Sequence, residues 1–120
     1  MFTEKLDVQL LESLEENGLT ESTELQHVCI PKIKSGRDLV CVANEGTGKT
    51  TTIIVSVLQK LKASFDDNPR AIIIVPDSDS ANKIKEEFIR LGEYTDLRIH
   101  TACEDGKLDN QKDEIYMGSD

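Results

Sequence analysis

At 120 residues the chain is long enough for one domain with its own core, but short for a complete nucleotide-hydrolysing unit. Its net charge of −9 argues against a free-standing nucleic-acid binder, which would carry a basic face. No apolar stretch is long enough to span a membrane and the N-terminus is acidic from the start, so neither a transmembrane helix nor a signal peptide is expected.

In chain order, Leu6, Leu10, Leu11 and Leu14 recur at helical spacing, with Asp7 placed to cap the start and Gly18 to stop the end. The glutamates between them form a solvated face. A second helix is expected from Ser22 or Thr23, with Leu25, Val28, Cys29 and Ile33 inward and Pro31 splitting off a short second piece. Ser35-Gly36-Arg37-Asp38 then turns the chain into an apolar strand over 39–42, where Cys41 reads as a small core residue. A helix over 51–61 follows, and Ile53, Ile54, Val57, Leu58 and Leu61 give it a broad buried face. Its β-branched residues make tertiary packing its main support. Phe65-Asp66-Asp67-Asn68-Pro69 is a surface linker. The continuous apolar run over 71–75 has the pattern of a strand covered on both faces of a parallel sheet. Ala81, Ile84, Phe88 and Leu91 define an amphipathic helix that Gly92 ends, and 97–103 reads as a third strand with Leu97, Ile99 and Thr101 on one face. Residues 104–112 are polar, a loop or a short helix. Strands alternating with helices at this spacing predict a parallel α/β sheet, with the turn after the first strand at the carboxyl ends of the strands.

That turn is Ala43-Asn44-Glu45-Gly46-Thr47-Gly48-Lys49-Thr50, which reads as a phosphate-binding loop. A tight strand-to-helix turn aims successive backbone N–H groups at one spot, and the helix N-terminus adds partial positive charge there. Gly46 and Gly48 let the backbone wrap close to phosphate oxygens, Lys49 brings a full charge to the terminal phosphates, and the Thr50 hydroxyl suits a bridging magnesium ion. The expected ligands are ATP or ADP with Mg2+. Ala43 stands where the strict pattern has glycine. A Gly-rich turn that merely starts a helix is the plainer alternative, and the Lys-Thr pair in this context argues against it.

Upstream lies Gly18-Leu19-Thr20-Glu21-Ser22-Thr23-Glu24-Leu25-Gln26. A glutamine amide can donate and accept at once, and adenine offers the complementary pair on N6 and N7. Alone, Gln26 reads as a surface helix residue. Taken with Phe2, Ile30-Pro31, Gly36-Arg37-Asp38 and the 43–50 loop, however, its order and spacing closely resemble the start of the first RecA-like domain of DEAD-box RNA helicases. The resemblance covers essentially the whole chain and is strongest over 6–50. It implies a three-layer, parallel-sheet RecA-like fold, present as a partial domain, with Q-motif helices over 1–38 and the phosphate-loop α/β portion over 39–120. It implies that Thr23 and Gln26 sense adenine, that Phe2 stacks on it, and that Lys49 and Thr50 meet phosphate and magnesium. The parent activity would be RNA-stimulated ATP hydrolysis coupled to unwinding of RNA duplexes.

The departures from that pattern are specific. Ser22 stands where the Q motif has proline, Phe2 lies one residue nearer than usual, and Glu45 replaces a threonine or serine. A carboxylate some 6 Å from a phosphate would cost about 1 to 3 kcal/mol, and little if it faces solvent. Pro76-Asp77-Ser78-Asp79-Ser80-Ala81 occupies the place of a motif that touches the RNA backbone, where Pro76 and Ser78 are the candidate contacts. Its arginine is missing and two aspartates have appeared, so RNA should be held weakly or not at all. Asp77 and Asp79 read first as an acidic loop and helix cap, a role Ser80 could share.

An acidic Asp-Glu-Ala-Asp motif is absent, and Asp113-Glu114 lacks the apolar strand that would precede one. The chain is therefore expected to be a piece of a longer helicase, catalytically incomplete alone. With the strand of that motif missing, an exposed sheet edge would shift the sheet or promote self-association. The 3 cysteines Cys29, Cys41 and Cys103 lack metal-ligand spacing, which predicts reduced thiols and a cytoplasmic setting, with the nucleus left open. Two other readings stand beside the helicase: a degenerate, non-catalytic interaction module, and another P-loop ATPase such as a DNA helicase or a chaperone-like motor.

Overall fold

The computed structural model describes residues 5–120, and the chain divides after Lys60 into two compact units. The first unit holds α1 (Val8–Glu16), α2 (Glu24–Lys34) and nearly all of α3 (Lys49–Leu61). Its core is Leu6, Leu10 and Leu14 from the α1 stripe, Cys29 and Ile30 from α2, and Ile54, Val55 and Leu58 from α3. Asp7 takes the N-cap position of α1, but its side chain makes no cap bond. Its backbone N–H instead donates to Gln59 Oε1 of α3 at 2.8 Å, which ties the two helices together. At the other end the Gly18 N–H donates to the Glu15 carbonyl and the Leu19 N–H to the Leu14 carbonyl, closing the helix as the glycine foretold.

The expected break in α2 does not occur, because the helix runs through Pro31. Proline removes one N–H, while a capping box at the start and the burial of Cys29 and Ile30 hold the rest. The inward face is also turned from the expected one. Val28 is 47% exposed, whereas Gln26, Cys29 and Ile30 are buried. A buried polar residue at the first inward position hides this stripe from a hydrophobicity pattern. On α3, which begins two positions earlier than expected, Ile54 and Leu58 are buried as anticipated but Ile53 is 42% exposed. Thr52, Ser56 and Gln59 share the buried face with Val55.

The second unit contains α4 (Ser78–Leu91) and α5 (Leu108–Tyr116). Phe88 and Leu91 are the buried residues of α4, which Gly92 closes by donating to the Phe88 carbonyl at 2.8 Å. The polar stretch after residue 104 does form a helix, α5, which runs to Tyr116 and buries no residue fully. An acidic residue ties this unit together. The Asp120 carbonyl accepts from the Arg70 and Ala71 N–H groups at 2.8 and 3.0 Å, and the Asp120 N–H donates to the Arg98 carbonyl at 3.0 Å. Its carboxylate takes Arg70 at 2.9 Å and Arg98 at 3.2 Å with its side chain 1% exposed.

Among the described residues no strand ladder forms over 39–42, 71–75 or 97–103. Val40 and Val42 are 91% and 94% exposed, and Cys41 is exposed rather than a core residue. In 71–75, Ile72 and Ile74 are 83% and 91% exposed while Ala71, Ile73 and Val75 are half-buried. This two-residue alternation is the mark of strand backbone, with one face open where cover on both was expected. The cover that a doubly buried strand needs does not lie over these side chains.

Candidate functional site

The loop between residue 42 and α3 has the shape its glycines predict. Gly46 and Gly48 adopt φ of +77° and +88°, a region that side chains rarely enter. Gly48 is needed for a second reason. A Cβ there would collide with Gln26 Nε2 and lie 3.1 Å from Gln26 Cδ and 3.4 Å from Thr23 Oγ1. The loop is thus built against the start of α2.

Four hydrogen bonds from Thr23 and Gln26 hold that arrangement. The Thr23 hydroxyl donates to the Thr47 carbonyl at 2.7 Å, and Gln26 Nε2 donates to the Gly48 carbonyl at 3.4 Å. Gln26 Oε1 accepts from the Thr23 N–H at 2.9 Å, while the Gln26 N–H donates to Thr23 Oγ1 at 3.3 Å. The capping box and the loop brace are therefore the same two side chains. Inside the loop, the Thr47 hydroxyl donates to the Asn44 carbonyl at 2.7 Å. Lys49 Nζ reaches back to the Ala43 carbonyl at 2.5 Å, spanning the loop from end to start.

Of the residues singled out in the sequence, Thr23, Gln26 and positions 43–50 come together in the first unit. Phe2 lies outside the described residues. Gln26 is 3% exposed, so it is not the surface helix residue that its type alone suggests. Glu45 is exposed, and solvent screens its charge. Thr50 is exposed on the first turn of α3, beside Lys49. Thr52 was not anticipated. Its hydroxyl donates to the Gly48 carbonyl at 2.7 Å and its N–H to the same oxygen at 2.9 Å. A threonine four positions after a loop glycine is the signal for that back-bond.

Pro76 and Ser78 belong to the second unit, at the start of α4. Asp77 caps that helix, its carboxylate accepting from the Ser80 N–H at 2.7 Å. That bond, then the Ser80 hydroxyl and Lys83, hold the Asp77 carboxyl below its usual range, so it stands as an anion. Ser80 lies inside α4 and does not cap it.

The model of the DEAD/DEAH box helicase domain matches residues 23–120. The chain belongs to that family. Over 96 residues, 80% of this chain, it is 34% identical to the Bos taurus protein named probable ATP-dependent RNA helicase DDX52, of which that stretch is 16%. It is 33% identical over 98 residues, 82% of the chain, to the Helicobacter pylori DEAD-box ATP-dependent RNA helicase RhpA, of which they are 19%. The fold matches that of the RNA helicase Prp28 from Chaetomium thermophilum, solved bound to ADP, with a TM-score of 0.85 at 24% identity over 99% of this chain and 30% of that one. The yeast DEAD-box splicing factor Prp28 gives 0.84 at 21% identity, over 96% and 30%. The chain spans 14 to 27% of the length of the first curated relatives it matches. Sequence and fold likeness thus agree on a DEAD-box helicase domain fold, while the parallel sheet expected with it does not form among the described residues. No helix among the described residues is long and apolar enough to cross a membrane.

Proposed function

We propose that this chain is the ATP-binding segment of a DEAD-box RNA helicase, with residues 1–38 as its Q-motif helices and 39–120 as its phosphate-loop portion. One observation carries the reading: Thr23 and Gln26 are bonded to the carbonyls of Thr47 and Gly48, so the adenine-sensing pair and the phosphate loop form one hydrogen-bonded unit. When nucleotide enters, the Gln26 amide exchanges its present partners for the adenine edge, and the loop registers the exchange through Gly48. Lys49 leaves the Ala43 carbonyl for phosphate oxygens. The ADP in the Prp28 structure supports a nucleotide site in this fold.

The residues present suit a magnesium ion that arrives with the nucleotide. No group of three or more His, Cys, Asp or Glu side chains is placed to hold a metal among the described residues. Thr50 would supply a hydroxyl and the phosphates the remaining charge, the usual way magnesium is held beside nucleotides. Bound there, the ion would neutralise phosphate charge. In the whole protein the activity is RNA-stimulated ATP hydrolysis with duplex unwinding, in a cytoplasmic setting. Residues 39–42, 71–75 and 97–103 would be strands of its parallel sheet, and the exposure of Val40, Val42, Ile72 and Ile74 supports self-association through open strands.

The test is calorimetric titration of the chain with Mg-ADP and Mg-GDP, for wild type and Gln26→Ala. ADP should bind in preference to GDP, and Gln26→Ala should bring the two towards parity. A purely structural role for Gln26 would weaken both alike and sink the adenine reading. A second reading, a non-catalytic interaction module, is favoured by one feature: Ser78 stands where the family's RNA contact has an arginine, and the anionic Asp77 cap lies beside it. A folded wild-type chain that binds neither nucleotide would put that module first.

A further inference from the structure

Three donors meet on one oxygen of the first unit. The Gly48 carbonyl accepts from the Thr52 hydroxyl at 2.7 Å, from the Thr52 N–H at 2.9 Å and from Gln26 Nε2 at 3.4 Å. A carbonyl oxygen has two lone pairs, so one of these donors is in excess. The distances say which. Both Thr52 bonds fall within the ordinary range of about 2.5 to 3.2 Å, and the Gln26 bond lies beyond it. The other end of the same amide is firm, because Gln26 Oε1 accepts from the Thr23 N–H at 2.9 Å. Gln26 is therefore anchored at its oxygen and loose at its nitrogen. That looseness originates in Thr52, a residue 5% exposed whose hydroxyl turns back one helical turn onto Gly48.

We propose that Thr52 is a specificity-determining positioning residue, whose hydroxyl occupies the Gly48 carbonyl and so keeps the Gln26 amide nitrogen available to an adenine edge. This role rests on the adenine reading above and acts through Gln26, not on the nucleotide itself. Without the hydroxyl, a lone pair of the Gly48 carbonyl is vacated and Gln26 Nε2 closes onto it. Adenine must then displace a full hydrogen bond where before it displaced a stretched one. Guanine presents two acceptors, N7 and O6, and cannot meet the donor and acceptor of Gln26 together, so its binding draws less on the exchange.

Calorimetric titration of the full chain with Mg-ADP and Mg-GDP would compare wild type with Thr52→Val, Thr52→Ala and Thr52→Ser. Thr52→Val keeps the branched shape and loses the hydroxyl. It should weaken Mg-ADP roughly 2- to 10-fold, the worth of one net hydrogen bond, with Mg-GDP little changed. Thr52→Ala, a better helix former, should lose the same selectivity, and Thr52→Ser should retain it. In a Gln26→Ala background, Thr52→Val should no longer alter the ratio. Without nucleotide, exchange of the Gln26 side-chain amide protons, followed by NMR, should slow in Thr52→Val. An unchanged ADP-to-GDP ratio in that variant, or equal weakening of both nucleotides, would overturn the role of Thr52 and leave the adenine reading standing. Parity of the two nucleotides in wild type would instead overturn that reading, and the role of Thr52 with it.

Discussion

Gln26 shows how one side chain gains meaning from its neighbours. By composition it is a polar helix residue, yet it is 3% exposed and joins the capping box of α2 to the Gly48 carbonyl. Gly48 is its counterpart, with a backbone at φ +88° and no room for a Cβ. Gly48→Ala should therefore destabilise the fold by about 1 to 3 kcal/mol through strain and displacement of Gln26, which urea unfolding would measure. An unchanged midpoint would mean that the loop has another conformation available. Lys49 makes a different contribution. Its contact with the Ala43 carbonyl is exposed, so Lys49→Ala should leave stability nearly intact while weakening Mg-ADP roughly 10- to 100-fold, the loss of a charge-assisted contact worth about 1.5 to 3 kcal/mol. Equal affinity for both proteins in calorimetry would remove Lys49 from the site.

Among the elements, α2 departs most from its sequence pattern. The buried stripe runs through Gln26, Cys29 and Ile30, and Pro31 sits inside the helix rather than breaking it. Local preference loses here because the capping box pins one end and core packing holds the middle. Thr23 carries both the cap and the bond to the loop, so Thr23→Ala should cost about 1 kcal/mol, within the usual 0.5 to 2 for a lost cap. Thr23→Ser, which keeps the hydroxyl, should recover most of it, and urea midpoints for the two variants decide the matter. The shape of the 43–50 loop was legible in the sequence, because glycines at fixed offsets state their own geometry. Inward faces were less so. Val28 and Ile53 have the right spacing for burial but are exposed, since residue type cannot say which face a neighbouring element will cover.

At the scale of the whole molecule, Asp120 has the largest electrostatic consequence. Burial alone would push its carboxyl pKa up. The Arg98 N–H, the Arg98 and Arg70 guanidiniums and the Ser64 hydroxyl overcome that and hold it far below the usual carboxylate range. A carboxyl depressed on folding adds stability above the free carboxylate's pKa, near pH 4, and that stability is lost as pH falls below it. Acid unfolding of wild type should thus steepen below about pH 4. Asp120→Asn should flatten that limb and lower stability at pH 7 by on the order of 3 kcal/mol, because Arg70 loses its carboxylate partner and Arg98 keeps only Asp67. Matching acid limbs for the two proteins would show that the cluster contributes nothing. By itself the sequence determined the family, the shape of the 43–50 loop and the helices that flank it, all written in short-range spacing. Tertiary structure alone decided which helix faces are buried, that Gln26 braces Gly48, and that Asp120 draws Arg70 and Arg98 together. Those pairings join residues far apart in the chain, and no local pattern encodes which of many compatible partners the folded backbone will bring within reach.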